Sequence, residues 1–160
     1  MALVKRQDLS RRYDRILREY ALDVINETAL GARNIAHAAA ERSPTDTTRL
    51  ASNFLIGRSQ FDFTYRRAWI EGKKNPATGV SSTRLGSIAR LNIHNERVAR
   101  REVSRVKALR RLPNVWRISV QNHTPYLPFV ERRRPYLEAA TASAIRRARA
   151  AYESVRVQEF

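Results

Sequence analysis

The sequence predicts a chain that mixes helices with a few short strands, and three stretches carry that prediction. Over 9–41, Leu9, Tyr13, Ile16, Leu17, Tyr20, Val24, Ile25, Thr28, Ala32, Ile35, Ala36 and Ala39 recur at three- and four-residue steps, the spacing of one helix face. Over 115–121, Trp116, Ile118 and Val120 alternate with Arg117, Ser119 and Gln121, the pattern of a strand covered on one side. From Leu137 to Tyr152 helical spacing returns in an alanine-rich segment, through Ala140, Thr141, Ala144, Ile145 and Ala148.

The first helix can be capped by Ser10 or Asp8. Arg11, Arg12, Asp14, Arg15, Arg18 and Glu19 fill its other face, and Gly31 is its weak point. At 1.5 Å per residue it measures about 50 Å, longer than a small sheet needs as cover. Its N-terminal half is therefore either a solvated overhang or a surface that reaches a neighbouring subunit. Pro44 cannot continue the helix, and Asp46 is placed to cap a short turn before Leu50. A first strand is expected over 51–57. A second is expected to carry Phe61, Phe63, Tyr65 and Trp69. Residues 71–86 hold Gly72, Pro76, Gly79 and Gly86 and read as a loop. Helical character resumes over 87–112 in two pieces, Ile88–Leu91–Ile93 and then Ala99–Val103–Val106, until Pro113 and Asn114 end it.

Residues 115–137 pack the most instructions into the least space. After the strand, Asn122-His123-Thr124-Pro125 breaks the chain direction, because Pro125 disfavours helical angles at Thr124. Tyr126, Leu127, Phe129 and Val130 form an apolar plug, in which Tyr126 and Phe129 are expected to bury their rings. Glu131 and Arg132-Arg133-Arg134 follow, and Pro135 suits the first position of the last helix.

Composition narrows the function classes. The chain has 160 residues, the length of one domain with its own core. Its 31 basic and 15 acidic residues leave a net charge of +16. That imbalance repels other copies at low salt and attracts polyanions. There is no cysteine, hence no disulfide or thiolate chemistry. No signal-peptide pattern appears, and no apolar run approaches the ~18 residues of a membrane span, so a soluble protein with no membrane partner is expected. His37, His94 and His123 are far apart and form no metal-binding spacing. No Gly-rich phosphate loop or nucleophile elbow is present. No catalytic residue, cofactor or metal is expected.

The basic stretch 96–111 is the strongest candidate surface. Arg97, Arg100, Arg101, Arg105, Lys107, Arg110 and Arg111 crowd it, with Glu96 and Glu102 as its only acids. It reads as a solvated face, a contact for an acidic protein surface, or a grip on DNA phosphates. No aromatic residues interleave with it, so stacking on single strands is unsupported.

Two motifs resemble a known group. Ser43-Pro44-Thr45-Asp46-Thr47-Thr48-Arg49-Leu50-Ala51-Ser52-Asn53-Phe54, after a long helix, is similar to the S-P-V-D-T-G-R-L segment of tailed-bacteriophage tail-completion and neck proteins. Ile118-Ser119-Val120-Gln121-Asn122-His123-Thr124-Pro125-Tyr126, then Phe129-Val130-Glu131, is similar to their I-x-I-x-N-N-x-P-Y segment with its later L-E. Arg134-Pro135-Tyr136-Leu137 resembles their entry to the last helix. Thr48 and Arg132 stand where glycines are usual in the group. The resemblance implies an α+β fold in which a small antiparallel sheet is packed by the N- and C-terminal helices, with 71–112 as a loop-and-helix insertion. It implies a structural virion protein, assembled in the host cytoplasm into a ring, usually of six copies, that joins or caps the tail at the head–tail interface. Its partners would be copies of itself, connector or head-completion proteins and tail-tube proteins, with non-specific contact to packaged DNA. Pro44, Asp46, Pro125, Tyr126 and Phe129 would then shape the motifs. Arg49, Arg97, Arg100, Arg101, Arg105, Lys107, Glu131, Arg132 and Arg133 are the candidate partner contacts. A basic nucleic-acid-binding protein that neutralises phosphates is the rival reading, and an enzyme such as a small nuclease finds no supporting constellation.

Overall fold

A computed structural model of the chain describes residues 2–43, 48–63 and 84–158. Pro44, Asp46, Tyr65, Trp69 and most of the expected loop 71–86 lie outside the described residues. The described chain is dominated by helices, with one small antiparallel sheet. The elements in order are α1 (Ala2–Arg42), α2 (Thr48–Ala51), β1 (Leu55–Gly57), a 3-10 turn (Gln60–Phe63), α3 (Arg84–Lys107), β2 (Ser119–Gln121), α4 (Leu127–Arg133) and α5 (Leu137–Gln158).

Helix α1 is the spine. Its buried face is Ile25, Ala29, Ala32, Ala36, Ala39 and Ala40. Small side chains along that line let two further helices approach closely. Helix α3 runs antiparallel to α1: Arg33 pairs with Glu96 at 3.5 Å, while Arg18, further toward the N-terminus, reaches the carbonyl of Lys107. Helix α3 contributes Ile88, Leu91, Val98, Ala99, Val103 and Val106 to the core. Helix α5 packs on α1 through Ala140 and Ala144.

The sheet has two strands. Leu55 faces Gln121, Ile56 faces Val120 and Gly57 faces Ser119. All three residues of β1 are buried, so its second edge needs partners within the protein. Asn95 of α3, 1 % exposed, supplies them. Its Nδ2 donates to the Phe54 carbonyl at 2.9 Å, and its Oδ1 accepts the Ile56 N–H at 3.3 Å. One amide side chain thus stands in for a third strand.

Several sequence expectations are corrected. The strand expected at 51–57 shortens to Leu55–Gly57, because Leu50 and Ala51 are buried in the short helix α2. Phe61 and Phe63 lie in a 3-10 turn, not on a strand. A strand would put both rings on one face; the turn buries Phe63 against the His123 ring and leaves Phe61 81 % exposed. The two helical pieces expected over 87–112 are one helix that starts at Arg84, includes Gly86 and ends at Lys107. Ile93 consequently faces outward.

The apolar plug is also different. It forms helix α4, with Pro128 in its first turn, where a missing N–H costs nothing. Leu127 and Val130, three residues apart, turn toward the core, and Tyr126 packs there partly buried. Phe129 points the other way and is 67 % exposed, so it is no core anchor. Pro135 precedes the last helix instead of opening it. It holds Arg134 at φ −142°, ψ 83°, which ends α4.

Candidate functional site

Among the described residues, nothing packs on the N-terminal part of α1. Arg18 marks where it leaves the body. Its guanidinium donates to the carbonyls of Leu109 at 2.7 Å, Lys107 at 3.1 Å and Arg110 at 3.2 Å. The Lys107 carbonyl is one of those the end of α3 leaves without a helical partner, those of Leu109 and Arg110 follow just beyond it, and a cation there also suits the helix dipole. Beyond Arg18, α1 continues as an arm in which every described side chain from Arg6 to Leu17 is exposed. Leu9, Tyr13, Ile16 and Leu17 are 56–69 % exposed and Tyr20 is 38 % exposed. At about 100° per residue these five side chains fall within one arc of roughly 100°. Scattered exposed apolar residues are ordinary, but a contiguous stripe of five is the signature of an interaction surface.

An open groove lies further along the same helix. It encloses about 380 Å³ between α1, β2 and α5. Val24 and Ile35 form one wall, Ile118 and Val120 the floor, and Ala144 and Ile145 the other wall. Its one hydroxyl, on Thr28, is bonded to the Val24 carbonyl at 2.7 Å and so faces its own backbone. Glu27 and Arg149 supply its charges.

The segments that carry the two sequence motifs meet in space. The Asn122 amide donates to the Leu50 carbonyl at 2.9 Å and accepts the Thr124 N–H at 3.0 Å. It therefore shapes its own turn and ties that turn to α2. Phe54 meets Tyr136 edge-on at 6.3 Å. Glu131 accepts the N–H groups of Tyr136 and Leu137, each at 3.2 Å, and so caps the N-terminus of α5. Burial pushes the Tyr136 phenol pKa up, and the Glu131 charge adds to that. Glu131 thus has an internal task in addition to its candidacy as a partner contact. Arg132 and Arg133 are exposed at the end of α4, Pro125 is exposed, and Arg49 is exposed on α2.

The basic face of α3 is partly neutralised from within. Arg100 pairs with Glu96 at 2.6 Å. Arg105 pairs at 2.9 Å with Glu102, whose side chain is only 2 % exposed. Arg101 bridges Glu102 at 3.2 Å and Asp62 at 2.6 Å. Arg97, Lys107, Arg110 and Arg111 are exposed and make no such pair among the described residues. They are the cations of this stretch without an acidic partner among the described residues.

Asp62 is the centre of that network and was not singled out by sequence. Its Oδ2 accepts the N–H groups of Arg58 at 2.9 Å and Ser59 at 3.1 Å. Burial works to raise its pKa, but the Ser59 and Arg58 N–H bonds and then Arg101 hold it down at about 2. A carboxylate depressed in this way stabilises the fold above its ordinary pKa and loses that contribution as pH falls toward 2. We expect Asp62→Asn to lose about 2 kcal/mol at neutral pH. The gap to the wild type should narrow from about pH 4 down to about pH 2. Urea unfolding across that range measures it, and a gap independent of pH would refute it.

No protein-family model, no characterised protein and no solved structure matches this chain. No helix among the described residues is long and apolar enough to cross a membrane.

Proposed function

We propose that this chain is a structural subunit of the neck of a tailed bacteriophage, a tail-completion protein whose copies form a ring that joins or caps the tail at the head–tail interface. The observation that carries the reading is the stripe Leu9–Tyr13–Ile16–Leu17–Tyr20, exposed along one side of a helical arm. An apolar surface of that extent belongs to a protein whose working state is an assembly. The two motifs that resemble the tail-completion group support the same reading, since Asn122 and the Phe54–Tyr136 contact join them into one structural unit. Ring subunits present one surface to each neighbour and others to the partners above and below. In this reading Arg97, Lys107, Arg110 and Arg111 face acidic surfaces of the connector or the tail tube, with bidentate arginine contacts adding orientation.

The unpaired cations also favour a second reading, phosphate neutralisation on DNA. One experiment separates the two. Arg97→Glu, Arg110→Glu and Arg111→Glu together avoid the internally paired Arg100, Arg101 and Arg105. The neck reading expects this variant to fold normally and to fail in joining purified heads to tails. The DNA reading expects normal joining and loss of duplex binding, with wild-type log K falling by ~0.9 per phosphate contact for each log unit of salt. Absence of the chain from purified virions would overturn the neck reading.

A further inference from the structure

We infer that the groove between α1, β2 and α5 is the receptor for the N-terminal arm of α1 from a second copy of this chain. The inference rests on the reading of the chain as a subunit that assembles with itself, and it names the contact.

The arm of the same chain cannot be the occupant. Stripe and groove wall belong to one continuous helix, and Tyr13 lies about 22 Å along the axis from Thr28. Only another molecule can bring the two together. They match in chemistry. The groove offers Val24, Ile35, Ile118, Val120 and Ile145, and its hydroxyl is already spent on the helix backbone. It therefore has few polar groups with which to orient a small polar ligand, and it suits an apolar ridge such as Leu9, Tyr13, Ile16 and Leu17. The charges are compatible as well: the groove carries one of each sign, Glu27 and Arg149, and the stripe is flanked by one of each, Arg12 and Glu19. A membrane surface is a poorer match for the arm, because Asp8, Asp14 and Glu19 interrupt its arginines.

The net charge of +16 sets the conditions under which the contact forms. Copies repel one another at low salt, and screening removes that repulsion while the apolar contact persists. Self-association should therefore strengthen as salt rises, the opposite of binding to DNA or to an anionic vesicle.

The chain has no cysteine, so introduced thiols report cleanly. Tyr13→Cys is placed on one chain and Ile145→Cys on another, and the full-length proteins are oxidised separately and mixed in about 1 M salt, where the screening length is about 3 Å. The expected result is a disulfide between the two variants that exceeds self-linking of either alone. Ile16→Asp with Leu17→Asp, both at exposed positions, should leave the circular dichroism of the monomer unchanged and weaken association at least tenfold in sedimentation. Ile145→Arg on the groove wall should do the same. Self-linking of Tyr13→Cys alone would overturn the inference, because stripe would then meet stripe. A protein that stays monomeric at all salt concentrations would also overturn it, as would an arm that binds phosphatidylserine vesicles without linking to the groove.

The double variant, with both thiols in one chain, tests the ring separately. A ladder of linked copies that closes at a fixed number supports both the groove contact and the ring. Linked species that stop at two support the groove contact and reject the ring. Virions that contain the chain at the neck, with no link between arm and groove, reject the contact and keep the ring.

Discussion

Asn95→Leu destabilises this protein by on the order of 3 kcal/mol. The size follows from what the amide holds. Leucine keeps the branched outline of asparagine but is larger, so some overpacking adds to the main loss, in which the Phe54 carbonyl and the Ile56 N–H lose their partners together. Each buried unpaired polar group costs about 1–3 kcal/mol. Water cannot replace the side chain easily, since Asn95 is 1 % exposed and Phe54 and Ile56 are 3 % and 0 % exposed. The damage should also be local in origin: β1 would keep β2 on one edge and lose its support on the other. Urea unfolding gives the stability change, and hydrogen exchange at Ile56 gives its location. A loss below about 0.5 kcal/mol, the range of an ordinary surface substitution, would mean that the edge is satisfied in another way.

Gly57→Ala is expected to cost about 3 kcal/mol, for a steric reason. A Cβ at position 57 would collide with the Cβ of Asp62 and lie 2.6 Å from its Oδ2. The obstacle is not the mobile end of a long side chain. To relieve the clash the 3-10 turn must move, and the Arg58 and Ser59 N–H bonds and the Arg101 ion pair move with it. Overpacking alone costs roughly 1–3 kcal/mol, and loss of charge-assisted hydrogen bonds adds to it. Asp62→Gly removes the colliding atom, so Gly57→Ala in that background should cost little beyond what Asp62→Gly has already cost. The double-mutant cycle isolates the coupling between the two positions. Equal costs of Gly57→Ala in both backgrounds would place the strain elsewhere.

Some of this architecture was legible in the sequence because it depends on local repetition. The periodicity of α1 and α5 needs only the chain's own spacing. The alternation at 115–121 did mark a strand, although hydrogen bonding confines it to Ser119–Gln121. The surplus length of α1, and with it an exposed arm over Leu9 to Tyr20, was likewise visible from counting residues against the needs of a small sheet. The excess of arginine identified a charged surface without saying which guanidiniums remain available.

Tertiary structure decided the rest, because it depends on which elements meet. Nothing near Asn95 in sequence says that it will complete the edge of a strand some forty residues earlier. Asp62 and Arg101 become a network only when the 3-10 turn lies against α3. Phe129 looked like core by composition, yet the helical path of α4 turns Leu127 and Val130 inward and leaves that ring outside. The groove is invisible in any one segment, since its walls come from α1, β2 and α5. Apolar spacing tells a chain which face to bury, and the neighbour available to bury it is settled only when the chain folds.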